Sequence, residues 1–404
     1  MEKVTRRIQK FNETRLPAMI QEKYKVMATD LYKFYRGTNH LFYEDLKKSG
    51  KVFQSPLAWI CGDLHLENFG SFKSDNRLVY FDLNDFDEAL LAPAIFEVVR
   101  MVTSIFVAFE SLRIEQKKAI NMAQLFLKTY SSILEKGKPN YIEPRVAKGI
   151  VCQFLVNASK RKTKDILKKK ARVKNKKIML LNTPKHLKLP PALKKELFNH
   201  IAGWLKNDGG SPYNYIPIDA AFRVAGTGSL GQIRYIILLK SSNGTGEKYL
   251  LLDMKEATPP SLLPYVRIKQ PQWNTNAERI ITIQQRMQNR PPALLSATVF
   301  KKMPFVIEEL QPTEDSINFN LIKKDYRNIY QVIDDMAMLT ASSQLRSSGE
   351  QGSSITDELK EFGAKKDWQE KVLTYAIHYV SQIKTDYINF LRDYKKGVLK
   401  NHQK

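Results

Sequence analysis

The sequence is poor in cysteine and in long apolar runs. Only two of its 404 residues are cysteines, which excludes a disulfide framework and a zinc site built on cysteine pairs. No segment offers the ~18 uninterrupted apolar residues of a membrane-spanning helix, and the charged N-terminus lacks the apolar stretch of a secretory signal. We therefore expect a chain without a transmembrane segment, in a reducing compartment such as the cytoplasm.

Acidic residues are also scarce, since 65 Lys and Arg face 41 Asp and Glu for a formal net charge of +24. This balance fits contact with nucleic acid, anionic lipid or a phosphorylated substrate, and fits an ordinary lysine-rich surface equally well. Residues 160–177, KRKTKDILKKKARVKNKK, hold 11 basic residues and one acid. Because this segment has no aromatic residue for base stacking, it predicts a solvated helix or mobile arm, and a nucleic-acid partner rests on charge alone.

Helical periodicity and β-type runs alternate along the chain, which predicts an α+β fold. The helical patterns lie before residue 215 and after residue 312, whereas the β-rich runs concentrate between them. We expect a helical part over 1–215, a β-rich unit over 216–312 and closing helices over 313–404.

The glycine-rich stretch GTGSLG contains Gly226, Gly228 and Gly231 in the spacing G-x-G-x-x-G. The residues that follow it, QIRYIILL, are β-formers, so the loop is predicted to join two strands and not to open a helix. Such a hairpin covers phosphates when a nearby strand supplies a cation, and LLLDMKEA supplies Lys255 with apolar residues on the alternate face. The competing explanation is an edge hairpin with a surface lysine.

A phosphate-binding lysine of this kind is normally held by a carboxylate on the next helix. In NAERIITIQQRM the available acid is Glu278, which we expect to pair with Lys255. Thr282 or Gln284 is the alternative occupant of the inward position.

Residues 60–88 hold seven Asp and Glu residues around an apolar run, in a chain that is otherwise basic. In GDLHLEN the spacing of Asp63 and Asn68 suits a base and a metal-ligating amide. The strand RLVYFDL then leads to Asp85 as the principal carboxylate ligand for Mg²⁺, with Asp87, Asp82 and Glu88 as the candidates for a second ligand or for a structural hydrogen-bond acceptor. The alternative is an Asn/Asp-rich hairpin whose carboxylates only cap turns.

With these motifs in place, the chain resembles an uncharacterised bacterial family catalogued as domain of unknown function 2252. The matching stretches include FYRGTNHLFYEDL, CGDLHLENFG, FDLNDFDEALLAPAIFEVVR, FRVAGTGSLG, LLLDMKEA and FVIEEL. GDLHLEN and NDFDE are also similar to the catalytic and metal motifs of aminoglycoside and choline phosphotransferases. That resemblance implies a two-lobed, protein-kinase-like fold with ATP and Mg²⁺, in which the catalytic half comes first, as in a circular permutation.

The resemblance also implies a role for each site residue. Asp63 is the catalytic aspartate, the three glycines form the phosphate loop, and Glu309 in FVIEEL belongs to the hinge that pairs with adenine. The expected activity is transfer to an unidentified, small-molecule hydroxyl acceptor, with AMP transfer as a variant. The alternative is a nucleotide-binding pseudokinase or regulatory module with a basic partner-binding surface. We call residues 60–88 the acidic loop. Arg36 and Arg100 either reach the acidic loop or form structural ion pairs.

Overall fold

The computed structural model describes residues 2–50, 54–174, 177–207, 214–242, 248–311 and 315–400. The helices in these ranges are α1 (Val4–Asn12), α2 (Pro17–Met27), α3 (Leu31–Gly37), α4 (Asn39–Lys48), α5 (Ala94–Ser111), α6 (Gln116–Lys136), α7 (Gly149–Ser159), α8 (Thr163–Lys170), α9 (Pro191–Asn207), α10 (Asn276–Met287), α11 (Phe319–Ile322), α12 (Tyr326–Arg346), α13 (Thr356–Ala364) and α14 (Asp367–Lys395). The strands are β1 (Leu57–Ile60), β2 (Phe69–Lys73), β3 (Val79–Leu83), β4 (Leu90–Pro93), β5 (Ala171–Lys174), β6 (Lys177–Leu180), β7 (His186–Lys188), β8 (Tyr215–Arg223), β9 (Arg234–Ser241), β10 (Tyr249–Glu256), β11 (Ser296–Phe300), β12 (Met303–Glu309) and β13 (Asp315–Ser316). The α+β prediction is confirmed.

The largest sheet has the strand order β11-β12-β10-β9-β8-β7, and its neighbouring strands run antiparallel. The glycine loop lies between β8 and β9, which confirms that it joins two strands. Strand β10 is central, with Lys255 opposite Arg234 of β9 and Val306 of β12. The stretch SSNGTG, residues 241–246, is a strong turn signal between two β-rich runs, and residues 243–246 of it lie outside the described residues.

The two faces of this sheet differ because successive side chains on a strand point to opposite sides. On one face Leu252 and Met254 are buried against Leu197 and Ile201 of α9, as the alternating apolar residues of β10 predict. On the opposite face β9 and β10 carry charged residues, among them Lys255, near one end of the sheet. Lys255 therefore has an apolar layer behind it and faces the rest of the chain.

The described residues of the basic segment form α8, all of β5 and the first residue of β6, on the same face of the sheet as Lys255. Ile166 of α8 and Leu180 of β6 are buried in one apolar cluster with Ile236 and Leu251 of the sheet. Lys164, Lys168 and Lys169 of α8 are exposed, and Lys170 is half-buried. The prediction of a solvated helix is therefore correct for most of the lysines of α8, whereas the helix itself docks on the sheet through Ile166.

The helical part is built around α5, whose side chains are buried along most of its length. Helices α3, α6 and α14 pack on α5, and α12 and α13 pack on α6. Strands β1 and β4 pair antiparallel beside the start of α5, and β2 and β3 form a hairpin extended by β13. This arrangement places the loops after β1 and β3 at one end of the helical part. Within the described ranges, none of the helices is both long enough and apolar enough to span a bilayer.

Candidate functional site

The loop after β1 is fixed by close backbone packing and by a buried carboxylate. Gly62 has φ +77°, and a Cβ at this position would collide with the backbone of Glu88, so only glycine fits. Just before it, the Cys61 amide donates to Oε1 of Glu97 over 2.5 Å, and Gln344 donates to the other Glu97 oxygen over 3.2 Å. The Glu97 bonds tie the start of this loop to α5 and α12, and Gly62 lets the loop pack closely against Glu88 in the loop after β3.

Asp63 follows Gly62 and is held by the buried Arg100 of α5. Arg100 donates to Asp63 Oδ1 through Nη2 over 2.8 Å and through Nε over 3.1 Å, and its guanidinium stacks 3.7 Å above the Tyr35 ring. Burial raises the pKa of Asp63 to about 7, the negative charges of Glu88 and Asp85 add to the increase, and Arg100 opposes it. Asp63 is therefore a fixed carboxyl group that titrates near neutrality.

The other predicted residues of this loop brace it from behind. Asn68 is only 3% exposed, and its Nδ2 donates to the backbone carbonyl of Asp63 over 2.7 Å. Arg36 of α3 pairs with Glu67 and donates through Nε to His65 over 3.0 Å. Arg36 and Arg100 thus both reach the acidic loop, and they do so by forming ion pairs and hydrogen bonds.

Lys255 meets the two aspartates that follow β3. Its ammonium forms an ion pair with Asp87 and lies 3.8 Å from Oδ1 of Asp85. Burial disfavours the ammonium, but these two carboxylates outweigh burial and raise the pKa of Lys255. Asp85 is 50% exposed and Asp87 21% exposed, so both can reach a ligand that enters beside the lysine.

The predicted pairing of Lys255 with Glu278 is not found. Glu278 accepts the Asn274 amide over 2.8 Å, while the Glu278 amide donates to the Thr275 hydroxyl over 3.1 Å. Thr275 is therefore the N-cap of α10, and the Glu278 carboxylate binds the backbone amide of the residue that precedes this cap. These contacts occupy Glu278, and Asp87 takes its place beside Lys255.

The next residue of α10, Arg279, holds the loop after β3 in place. Its guanidinium donates to the backbone carbonyls of Asp87 and Thr258, each over 2.9 Å, and to that of Ala89. Arg279 is only 4% exposed. One arginine therefore ties α10, the loop after β3 and the segment after β10 together.

The glycine loop lies directly over the acidic loop. A Cβ placed on Gly228 would lie 3.4 Å from the Arg36 carbonyl oxygen and 3.9 Å from Oδ2 of Asp63. Arg15 donates to the carbonyls of Gly228 and Leu230 over 2.6 and 2.8 Å, and the buried Lys23 donates to Gly228 over 3.1 Å. The N-terminal residues thus hold the glycine loop down.

Five of the predicted site residues line one cavity of about 70 Å³: Asp63, Asp85, Asp87, Gly226 and Gly228. Gly231 and Lys255, which were also predicted to bind the phosphates, line an adjoining space. This space shares Ser229 and Gln232 with the cavity.

The remaining predicted residues lie elsewhere. Asn68 is not among the residues that line the cavity, and the Glu278 carboxylate accepts from Asn274 at the start of its own helix. Glu309 ends β12 and lines a separate groove. The described residues contain no group of three or more His, Cys, Asp or Glu side chains placed to hold a metal ion.

Sequence reasoning missed the cations that organise this site. Arg15, Lys23 and Arg279 each occupy helical or loop segments in which a basic residue looks like ordinary surface charge. No local pattern marks them, since their partners lie far away in sequence. The spacing Thr275-x-x-Glu278, by contrast, is a local signal for a helix start, and Thr275 is indeed the N-cap of α10.

The fold and the cavity define a class of protein: an α+β chain in which a glycine loop and a lysine strand meet an aspartate-rich loop. Within that class the chain belongs to the family of uncharacterized proteins conserved in bacteria called DUF2252, whose family model matches residues 15–393. The resemblance to this family seen in the sequence is thereby confirmed. No curated protein and no solved structure matches the chain.

Proposed function

We propose that the protein is an ATP- and Mg²⁺-dependent phosphotransferase that acts on a hydroxyl acceptor. The observation that carries this proposal is the convergence of two distant parts of the chain. Asp63, Asp85 and Asp87 come from the first hundred residues, whereas Gly228 and Lys255 come from the large sheet, yet they meet around adjoining spaces.

The order of elements in the large sheet supports a kinase-like fold. From β8 to β12 the chain supplies a glycine hairpin, a lysine strand, a helix and two further strands, which is the order of a kinase from its phosphate loop to its hinge. The acidic loop precedes this unit instead of following it. A circular permutation accounts for the difference, because the geometry of a site and not the order of its residues defines its chemistry.

Asp63 is suited to act as the base. Arg100 occupies Oδ1, and Oδ2 lies on the side of the glycine loop, near where an acceptor hydroxyl would meet the terminal phosphate. At neutral pH a carboxyl group with a pKa of about 7 is partly deprotonated, and it is still basic enough to take the proton of the acceptor hydroxyl. Arg100 keeps this carboxylate in one orientation.

Lys255 is suited to bind the nucleotide phosphates, and Asp85 and Asp87 are suited to bind the Mg²⁺ that accompanies them. Mg²⁺ in such sites takes one or two protein carboxylates together with phosphate oxygens, and Asp85 and Asp87 supply such a pair of oxygen donors. When bound, Mg²⁺ neutralises charge on the phosphate oxygens. Lys255 would then bind a phosphate oxygen in place of part of its contact with Asp87. The backbone amides of the glycine loop would face the phosphates from the opposite side.

The site is closed in this structure, because about 70 Å³ is far below the roughly 300 Å³ at which ligand pockets begin. Entry of ATP therefore requires the glycine loop to lift away from Asp63. The contacts of Arg15 and Lys23 with that loop are the ones that must yield or move with it.

The reaction type is tested by the products formed from ATP when candidate hydroxyl acceptors are screened with Mg²⁺. Phosphoryl transfer releases ADP, whereas AMP transfer releases pyrophosphate, and ³¹P NMR distinguishes the two. We expect ADP. Release of pyrophosphate would show that the reaction is AMP transfer and not phosphoryl transfer. If ATP binds but is not consumed with any acceptor, the protein is a nucleotide-binding module.

The pH dependence of turnover follows from Asp63. Its pKa is raised to about 7 and its active form is the carboxylate, so kcat/KM should rise with pH and level off above about 7. Glu88 contributes to the raised pKa, so Glu88→Gln should move the rise to lower pH. In that variant the side-chain oxygen still accepts from Ser261, which donates to Glu88 in the native chain. An unmoved profile would show that another group controls turnover.

A further inference from the structure

A wide groove runs between α8, the turn of the β2–β3 hairpin and the loop before β11. It encloses about 1270 Å³ and continues into a depression of about 640 Å³, with which it shares Arg77 and Glu309. We call these two spaces together the basic groove. Five Lys and Arg residues line the first space and four more line the second, against only Asp75 and Glu309 as acids.

The positive charge of this groove is arranged along one face of α8. Lys164 and Lys168 lie one turn apart, Arg172 follows at the start of β5, and all three are exposed. None of these three takes part in a salt bridge among the residues that the structure describes. Asp165, the acid within α8, accepts the backbone amide of Lys162 over 2.8 Å and so caps the helix. The groove therefore keeps most of its positive charge.

Aromatic side chains reach the same groove from the large sheet. Tyr215 at the start of β8 and Tyr249 at the start of β10 line it, together with Pro292 and Leu294. The basic segment contains no aromatic residue, so only the fold brings lysines and tyrosines to one surface. A cationic groove beside aromatic rings is the arrangement by which proteins bind single strands, since the cations follow the phosphates and the rings stack on bases.

We propose that the basic groove binds a short stretch of single-stranded nucleic acid. Its concave shape does not suit a flat lipid surface, and its volume exceeds the roughly 300–1,000 Å³ of small-molecule pockets. Its charge complements a row of phosphates and not a single anion. Of the predicted nucleotide-site residues only Glu309 lines the groove, and Asp63, Asp85, Asp87 and Lys255 do not, so this inference does not depend on the residues that carry the proposed transferase activity.

The test is fluorescence anisotropy with a labelled oligonucleotide of ~12 nucleotides, in RNA and DNA forms, over a range of salt concentrations. The variant Lys164→Ala/Lys168→Ala/Arg172→Ala should bind roughly tenfold more weakly at low salt, with a salt slope smaller by about 2, because each phosphate contact contributes about 0.7. A matched control is Lys117→Ala/Lys128→Ala/Lys138→Ala, which removes three exposed cations from another surface. Equal weakening by both triple variants, or no binding by the native chain, overturns the proposal.

The contribution of stacking is tested with Tyr249→Ala and with inorganic polyphosphate as a competitor without bases. Tyr249→Ala should weaken oligonucleotide binding about tenfold, as expected for loss of a stacked base. Polyphosphate of equal charge should compete poorly. Equal affinity for polyphosphate and oligonucleotide would overturn the assignment to nucleic acid in favour of an unspecific polyanion surface. Melting temperatures of all variants verify that they are folded.

Discussion

Replacing Asp63 by asparagine is expected to lower ATP turnover by about 10²–10⁴-fold, the usual contribution of a positioned base. The amide oxygen of the substituted side chain would still accept from Arg100, which donates twice to Asp63 Oδ1, so the fold and the loop geometry should persist. The variant loses only the ability to take a proton. Affinity for Mg²⁺ and ATP should therefore stay close to the native value.

The measurement pairs steady-state turnover with calorimetric binding for the same protein samples. Asp367→Asn is the matched control, because this aspartate is 71% exposed on the remote helix α14. Asp63→Asn with native turnover would remove Asp63 from the chemistry. Loss of ATP binding in parallel with turnover would assign this residue to nucleotide binding.

Replacing Arg279 by methionine is expected to have the largest effect on stability. The change leaves three carbonyl groups without their donor, the buried one of Ala89 and the partly buried ones of Asp87 and Thr258. An unmade buried hydrogen bond costs about 1–3 kcal/mol, so we expect the free energy of unfolding to fall by about 3 kcal/mol or more. A melting temperature lower by roughly 3–4 °C would correspond to a loss of about 3 kcal/mol in a chain of this length.

Two companion variants distinguish the hydrogen bonds of Arg279 from simple loss of charge. Arg290→Met removes an exposed arginine and should change stability by no more than ~0.5 kcal/mol. Arg279→Lys should recover little, because a single ammonium cannot match the planar fork of a guanidinium. If Arg279→Met melts like the native chain, this arginine does not hold the loop after β3.

The parts of the site that the sequence predicted are those set by local pattern. The β-formers after Gly231 placed the glycine loop in a hairpin, and alternation along β10 placed Lys255 opposite the apolar face. The apolar run before Asp85 likewise predicted a strand ending in carboxylates. Periodicity and spacing decide such features, because they depend on residues close together in the chain.

The parts that the sequence did not predict depend on which distant surfaces meet. Lys255 pairs with Asp87 and not Glu278, a choice made by the packing of the large sheet onto the acidic loop. Arg15 reaches the glycine loop only because α1 and α2 pack beside it. The docking of the basic segment depends on Ile166, whose apolar neighbours lie on the sheet. No local pattern encodes these contacts. The division at 215 and 312 stays a prediction.

The most direct test of the central proposal is calorimetry of ATP binding with and without Mg²⁺, on the native chain, Asp85→Asn and Lys255→Met. Lys371→Met on α14, which removes an exposed lysine, is the control. We predict binding that requires Mg²⁺ and that both site variants weaken by roughly tenfold or more, which is about 1.4 kcal/mol. No binding by the native chain, or binding that neither site variant changes, would contradict a nucleotide site formed by Lys255 and the aspartates.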